Sequence, residues 1–149
     1  MENTNYEAMI NRNAFVQTPG HLEIAENGRL LFRDKDMVEL AKQHGTPLFV
    51  FSEAKIRENF RHMKEVLQTR FSSSEICFAF KSNSLLAVLQ VLQQEGAFAD
   101  VVSEMEFRKA IFAGFDPSKI VFNGNNKSRY ELRLAIENGA VINCDSLCE

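Results

Sequence analysis

Short apolar runs alternate with helix-like segments along most of this chain, and this alternation restricts the fold more than any other feature. The runs centre near residues 49, 78, 100, 121 and 142, so that they lie about 29, 22, 21 and 21 residues apart. A strand and a helix repeated at this period form a βα unit, and consecutive units build a parallel sheet covered by helices. The pattern therefore predicts an α/β chain with about five βα units.

The predicted helices begin and end at residues with suitable capping chemistry. Ser103 with Glu106, and Ser128 with Glu131, have the spacing of a capping box. Ser52 and Ser84 are further candidate N-caps, and the helices are expected to end at glycines 45, 96, 114 and 139.

Two folds fit a run of βα units, a doubly wound sheet and a (β/α)8 barrel. The glycine fingerprint expected after the first strand of a dinucleotide-binding fold is absent, because residues 52–55 read Ser-Glu-Ala-Lys. We therefore favour the barrel. A closed barrel needs eight units and roughly 200 residues or more, so these 149 residues predict a partial barrel. Its open sheet edges imply either a piece of a longer protein or completion by another chain.

The first 45 residues differ in sequence pattern from the βα units that follow. Residues 1–16 are expected to be a loose lead-in, and residues 18–20 a turn. Asn27 and Gly28 lie between two apolar triplets and predict a β-hairpin. Asp34 or Asp36 then caps a helix that ends at Gly45. Residues 1–45 therefore precede the βα units, which occupy residues 46–149.

Composition excludes several classes of function. The net charge is −3, and lysine and arginine are scattered singly, so we expect no nucleic-acid partner. No apolar run is long enough to span a bilayer, and the N-terminus lacks the features of a secretory signal. The three cysteines, Cys77, Cys144 and Cys148, form no disulfide framework and no complete metal site, which is typical of a cytoplasmic protein.

Lys81 directly follows the apolar run 76–80, which predicts a strand buried on both faces. Ligands of such sheets bind at the carboxyl ends of the strands, where Lys81 would lie. Apolar surroundings would favour its neutral amine, which can attack a carbonyl carbon and form a Schiff base. The alternative is a lysine that simply reaches solvent at a strand end.

Four segments, in this order, resemble the fold-type III pyridoxal-phosphate decarboxylases, the group that acts on ornithine, lysine, arginine and diaminopimelate. They are GTPLFVF at 45–51, FAFKSNS at 78–84, ADVVS at 99–103 with Glu106, and VFNGNNKS at 121–128. The resemblance implies a TIM barrel of the alanine-racemase-like type, followed by a second β domain that the arm 1–45 joins. It also implies a homodimer when the protein is complete.

The same resemblance implies a site. Lys81 would hold pyridoxal 5'-phosphate as an internal aldimine, and Asp100, Gly124 and Asn125 would line the cofactor. The implied reaction is decarboxylation of an amino acid, foremost meso-diaminopimelate to L-lysine and CO2. Ser103 and Glu106 also match the family, but capping already explains them, and Lys127 is expected to be solvated.

Alternatives remain open at this point. The substrate could be ornithine, arginine, carboxynorspermidine or an acyl-carrier-linked amino acid. A non-catalytic regulatory homologue is another alternative, because Glu104 and Met105 stand where the family usually has two glycines that allow a close backbone approach.

Overall fold

The computed structural model describes residues 22–25 and 27–149. The chain divides into two compact units, with the boundary between Val50 and Phe51. The lead-in expected at 1–16 and the turn expected at 18–20 lie outside the described residues. Within the part of the chain that is described, no helix is both long and apolar enough to cross a membrane.

In its described residues, the first unit contains a small antiparallel sheet and one helix. Strands β1 (Leu22–Ile24) and β2 (Leu30–Phe32) form the predicted hairpin, and a short β3 (Lys35–Asp36) pairs with β2. Helix α1 (Met37–His44) begins at Asp36, whose carboxylate accepts hydrogen bonds from the backbone of Val38 and Glu39. Asp36 rather than Asp34 is therefore the cap, and the helix ends at Gly45 as predicted.

The second unit alternates helices with four parallel strands. In chain order it contains α2 (Glu53–Gln68), β4 (Cys77–Ala79), a 3-10 turn (Phe80–Ser82), α3 (Leu86–Gln94), β5 (Phe98–Val101), α4 (Glu104–Ala113), a second 3-10 turn (Pro117–Lys119), β6 (Ile120–Phe122), α5 (Arg129–Glu137) and β7 (Val141–Ile142). The sheet order is β4-β5-β6-β7. The helices α3, α4 and α5 thus connect neighbouring parallel strands, which is the βα arrangement that the sequence period predicts.

Most predicted helix ends are confirmed. Ser52 Oγ caps α2, Ser128 and Glu131 form a complete capping box at α5, and Gly114 ends α4 with a left-handed φ of 96°. Ser84 does not cap α3, however. The helix begins after Leu85, whose backbone N–H donates to Asn83 Oδ1 at 3.0 Å.

The hydrophobic core lies between the sheet and the helices. Because side chains alternate along a strand, one face of the sheet presents residues that the helices bury completely. The largest fully buried side chains are Phe80, Phe107, Phe122, Leu89, Ile120 and Val101. Phe107 of α4 stacks on Phe122 of β6 at 6.1 Å between ring centroids, so this pair ties a helix directly to the sheet.

The central strand is shorter and less buried than predicted. It covers Cys77–Ala79 rather than 76–80, and Cys77 is exposed while Ala79 is only half-buried. On the same face, Val141 is 49% exposed. The prediction of burial on both faces is therefore wrong for the described residues, because helices bury one face of the sheet and leave the other partly open.

The apolar run 48–51 is not a strand. These residues have no regular structure, and Phe49 is 84% exposed. The run has strand propensity, but a strand exists only where a neighbour supplies hydrogen bonds, and none of the described strands pairs with it. The sheet of the second unit therefore has four strands rather than five.

Candidate cofactor site

Lys81 lies in the 3-10 turn that directly follows β4, at the carboxyl edge of the parallel sheet. The turn is fixed by its neighbours, because Ser82 Oγ donates a hydrogen bond to the Ala79 carbonyl at 2.6 Å. Lys81 itself is exposed, so the apolar surroundings considered for its amine are not found among the described residues. The turn places a primary amine at the edge where ligands of parallel sheets bind.

Asp100 lies on β5, directly opposite Ala79 of β4. Its neighbours Ala99 and Val101 are completely buried against the helices, so its carboxylate points to the other face of the sheet. Asp100 Oδ1 is buried and has no hydrogen-bond partner among the described residues. Leaving such an atom unsatisfied costs about 1 to 3 kcal/mol, which is why a buried acceptor of this kind indicates a binding site.

Gly124 lies in the loop after β6 and packs against the end of β5. A Cβ atom at this position would lie only 2.4 Å from the Val102 carbonyl oxygen, so the backbone approach requires glycine. The neighbouring Asn123 N–H donates to the Val101 carbonyl at 2.8 Å, which extends the sheet ladder. Gly124 is thus buried at the same edge as Lys81 and Asp100, while Asn125 is exposed on the rim of the loop.

A pair of side-chain amides, which the sequence patterns above do not indicate, extends this edge. Asn143, which follows β7, donates from Nδ2 to Oδ1 of Asn123 at 3.0 Å. The signal that could have found the pair is that an asparagine follows each of these two apolar strands immediately. The pair adds polar groups to the edge next to Gly124.

Lys127 is buried, and the expectation that it is solvated is wrong. Only 7% of the residue is exposed, and its ammonium contacts the Gly124 carbonyl and the carboxylate of Glu149. The partner lies 22 residues further along the chain, so local sequence around Lys127 shows no reason for burial.

Ser103 and Glu106 act mainly as structural residues. Ser103 Oγ accepts a hydrogen bond from the Glu106 N–H at 3.3 Å, as a cap should. Glu106 does not complete the predicted capping box, because its carboxylate accepts from the Val102 N–H at 2.9 Å rather than from Ser103. This bond fixes the end of β5 where Gly124 packs.

Glu104 and Met105, which stand where the family resemblance implies two glycines, do not crowd the described part of the site. The Glu104 carboxylate pairs with Arg108 one turn along α4 at 2.7 Å, and Met105 is 73% exposed. The Glu104 N–H donates to Glu131 Oε1 at 3.0 Å, which links the start of α4 to the start of α5. Neither side chain supplies one of the three atoms that a Cβ at Gly124 would meet first, since all three belong to Val102.

The fold and this edge define a class: a parallel βα sheet with a lysine and an aspartate at the carboxyl edge of its strands. The family described as "pyridoxal-dependent decarboxylase, pyridoxal binding domain" matches residues 53–149. The chain belongs to this family, and the predicted resemblance is confirmed.

Individual relatives agree with this assignment. The chain is 42% identical over 125 residues to the diaminopimelate decarboxylase of Methanothermobacter thermautotrophicus, covering 84% of this chain and 29% of that protein. It is 40% identical over 118 residues to the diaminopimelate decarboxylase of Bacillus subtilis, covering 79% of this chain and 25% of the relative. The chain thus spans less than a third of the length of these relatives.

The structural comparison confirms the predicted fold class. A crystal structure of diaminopimelate decarboxylase from M. jannaschii in complex with L-lysine superposes with a TM-score of 0.75 and 35% identity, covering 85% of this chain and 30% of that one. The described βα units are therefore part of an alanine-racemase-like TIM barrel.

The residues at the edge fit a pyridoxal group. Lys81 supplies the primary amine, and Asp100 supplies a buried carboxylate oxygen without a partner among the described residues. Gly124 supplies backbone at a point where there is no room for a side chain of its own. An amine and an anion are suitable partners for an aldehyde-bearing aromatic cation.

Proposed function

We propose that the protein carrying this chain is a pyridoxal-phosphate-dependent decarboxylase that converts meso-diaminopimelate to L-lysine and CO2. The observation that carries the proposal is that Lys81, in the turn directly after β4, and Asp100, on the neighbouring β5, lie at one edge of the sheet, within a family match that covers both. The relatives named diaminopimelate decarboxylase, and the L-lysine complex of one of them, support this choice of substrate and product.

Each residue has a separate task in this proposal. When bound, pyridoxal phosphate supplies an electron sink for the negative charge left after loss of CO2. Lys81 would hold the cofactor through its primary amine, and its Nζ would serve as a proton donor or acceptor. Asp100 accepts a hydrogen bond at Oδ1 and places a negative charge beside the cationic groups. Gly124 and Asn125 line the rim.

Three further assignments belong to the proposal. The small antiparallel sheet of the first unit supports placing the arm 1–45 in a second β domain. Free thiols at Cys77, Cys144 and Cys148 support a cytoplasmic location. The homodimer follows from the family resemblance alone.

Borohydride trapping tests the lysine assignment in the full polypeptide. Incubation with pyridoxal phosphate and reduction should leave one pyridoxyl group on the peptide that contains Lys81, and Lys81→Ala should abolish it. Lys119→Ala is the matched control, because Lys119 lies at the opposite end of the sheet, 5.8 Å from the Phe98 ring centroid. Labelling that is spread over surface lysines and unaffected by Lys81→Ala would contradict the proposal.

Substrate choice needs its own measurement. The full-length protein should release CO2 and form L-lysine from meso-diaminopimelate, with ornithine, arginine and lysine as comparison substrates. Preferred turnover of ornithine, arginine or lysine would leave the cofactor assignment unchanged and would contradict the assignment of meso-diaminopimelate as the substrate. Cofactor labelling at Lys81 without turnover of any of them would favour a regulatory homologue.

A further inference from the structure

Among the described residues, Lys127 is the one charged residue that is buried as a whole residue, and its surroundings explain how the charge is tolerated. Its side chain is 1% exposed, and Nζ lies 2.8 Å from Glu149 Oε2, on a side chain that is 5% exposed. The same ammonium donates to the Gly124 carbonyl oxygen. A buried charge is costly unless it is paired and hydrogen-bonded, and this ammonium is both.

Glu149 connects two loops at the carboxyl edge of the sheet. Its Oε1 accepts the Lys127 N–H at 3.0 Å, and its Oε2 accepts the Asp145 N–H at 2.9 Å. The carboxylate therefore joins the loop after β6 to the segment after β7. Hydrogen bonds from the Lys127 ammonium and from these two backbone groups lower the pKa of Glu149 to about 2, so the carboxylate stays charged.

The loop that this pair holds is the one that contains the rim residues. On one side, Gly124 packs so closely against the Val102 carbonyl that a Cβ atom would lie 2.4 Å from the oxygen. On the other side, the Lys127 ammonium holds the Gly124 carbonyl. The carbonyl of Gly124 belongs to the peptide group that it shares with Asn125. The orientation of this peptide, including the Asn125 N–H, therefore depends on Lys127.

A buried ion pair is weak evidence for stability, because desolvation of two charges offsets much of their attraction. It is better suited to fixing one geometry among several. We propose that Lys127 and Glu149 are positioning residues, which hold the Gly124–Asn125 peptide in the orientation that binds the pyridoxal group at the carboxyl edge. This inference rests on the proposed function.

The test uses variants that keep the approximate size of each side chain and remove its charge. Lys127→Met and Glu149→Gln are compared with Glu95→Gln in the full polypeptide. Glu95 is a matched control, because its carboxylate is also little exposed, at 9%, and lies between Arg57 and Arg61 at 2.8 and 2.6 Å, away from the cofactor edge. For each protein we would measure the pyridoxal-phosphate dissociation constant, the absorption spectrum of the bound cofactor, and thermal unfolding without cofactor.

We expect Lys127→Met and Glu149→Gln each to weaken pyridoxal-phosphate binding by about tenfold or more and to alter the spectrum of the bound cofactor. Glu95→Gln should lower thermal stability and leave the affinity and the spectrum unchanged. The double variant Lys127→Met/Glu149→Gln should lose less than the product of the two single losses, because it leaves no unpaired charge buried. If a single variant fails to fold, the same measurements on the double variant test the inference in its place.

Two results would overturn the inference. One is wild-type cofactor affinity and spectrum in Lys127→Met, Glu149→Gln and the double variant. The other is that Glu95→Gln loses cofactor affinity in the same proportion to its loss of stability as Lys127→Met and Glu149→Gln do. That result would show that the Lys127–Glu149 pair is purely structural. Failure of the proposed function is distinguishable from both, because it would show as missing borohydride labelling at Lys81 in the unaltered protein.

Discussion

Asp100 lies directly opposite Ala79 in the parallel register of β4 and β5, and Lys81 follows Ala79 by two residues. Two strands that are adjacent in the sheet thus bring a carboxylate and a primary amine to one edge. Asp100 Oδ1 is also buried without a partner among the described residues. The site therefore contains an unsatisfied acceptor, which a hydrogen-bond donor on a bound cofactor would satisfy.

This arrangement predicts opposite effects of Asp100→Ala on binding and on stability. Pyridoxal-phosphate affinity should fall by about tenfold, because a charged partner is lost. The free energy of unfolding of the cofactor-free protein should not fall, and should rise by about 1 kcal/mol, because the unsatisfied oxygen is removed. Cofactor titration and urea unfolding measure the two quantities.

Asp116→Ala is the control for Asp100→Ala. The Asp116 carboxylate caps a 3-10 turn by accepting from the backbone N–H and the hydroxyl of Ser118 at 2.9 and 2.6 Å. Its removal should lower the free energy of unfolding, as the loss of a cap does, and leave cofactor affinity unchanged. A loss of stability in Asp100→Ala as large as in Asp116→Ala would show that Asp100 is a structural residue.

Gly124→Ala should impair both folding and cofactor binding. The added Cβ would lie 2.4 Å from the Val102 carbonyl oxygen, which is backbone and cannot move away freely. We expect a loss of about 1 to 3 kcal/mol in the free energy of unfolding and weaker pyridoxal-phosphate binding. Urea unfolding and cofactor titration of the same samples test both effects.

Gly139→Ala is the control that separates the close approach of Gly124 to Val102 from the general effect of replacing a glycine. Gly139 has a φ of 75°, and a Cβ atom added there would meet no other atom within 4 Å, so alanine introduces backbone strain and no clash. We expect a loss of about 1 kcal/mol and unchanged cofactor affinity. Equal cofactor affinity in the two variants would contradict the assignment of Gly124 to the rim.

Acid should destabilise the second unit through Glu95. Hydrogen bonds from Arg61 and Arg57 lower the pKa of Glu95 from 4.5 to about 2. Since the folded state binds the proton more weakly than the unfolded state, the contribution of Glu95 is complete above pH 4.5 and is lost as the pH falls toward 2. Glu95→Gln should therefore cost about 1 kcal/mol at neutral pH and flatten the fall in stability on acidification.

Urea unfolding from neutral pH to about pH 3 measures this dependence. Glu149 has its pKa lowered to the same value, about 2, so Glu149→Gln should flatten the same part of the curve. Coincident curves for Glu95→Gln and the unaltered protein would show that the Arg57 and Arg61 contacts contribute nothing measurable.

Features set by neighbouring residues can be predicted from the sequence, whereas features set by distant partners cannot. Ser128 with Glu131 and the left-handed Gly114 depend on local sequence, and both predictions are confirmed. The position of Lys81 after an apolar strand is local in the same sense. The burial of Lys127 depends on Glu149, which lies 22 residues away, and the sequence prediction for Lys127 is wrong for that reason.

The apolar run 48–51 shows the same limit. Its composition predicts a strand, yet a strand forms only with a hydrogen-bonded neighbour, and local sequence does not show whether one is present. The unsatisfied oxygen of Asp100 likewise depends on the packing of three strands. The family resemblance indicates Asp100, whereas the physical reason for its importance needs the structure.

The capping box of α5 should contribute more to stability than an ordinary N-cap. Ser128 Oγ accepts the Glu131 N–H at 3.2 Å, and the Glu131 carboxylate accepts the Ser128 N–H at 2.9 Å and the Glu104 N–H at 3.0 Å. Ser128→Ala should cost about 1 kcal/mol. Glu131→Ala should lower the free energy of unfolding by more than Ser128→Ala, because it also removes the hydrogen bond from the Glu104 N–H at the start of α4.

Ser84→Ala is the matched control, since Leu85 rather than Ser84 is the N-cap of α3. Its effect on urea unfolding should stay within about 0.5 kcal/mol. A cost for Glu131→Ala no larger than for Ser128→Ala would show that the bond to Glu104 does not couple the two helices. The expected order, Glu131→Ala above Ser128→Ala above Ser84→Ala, would instead show that one carboxylate stabilises the starts of both helices beside the cofactor edge.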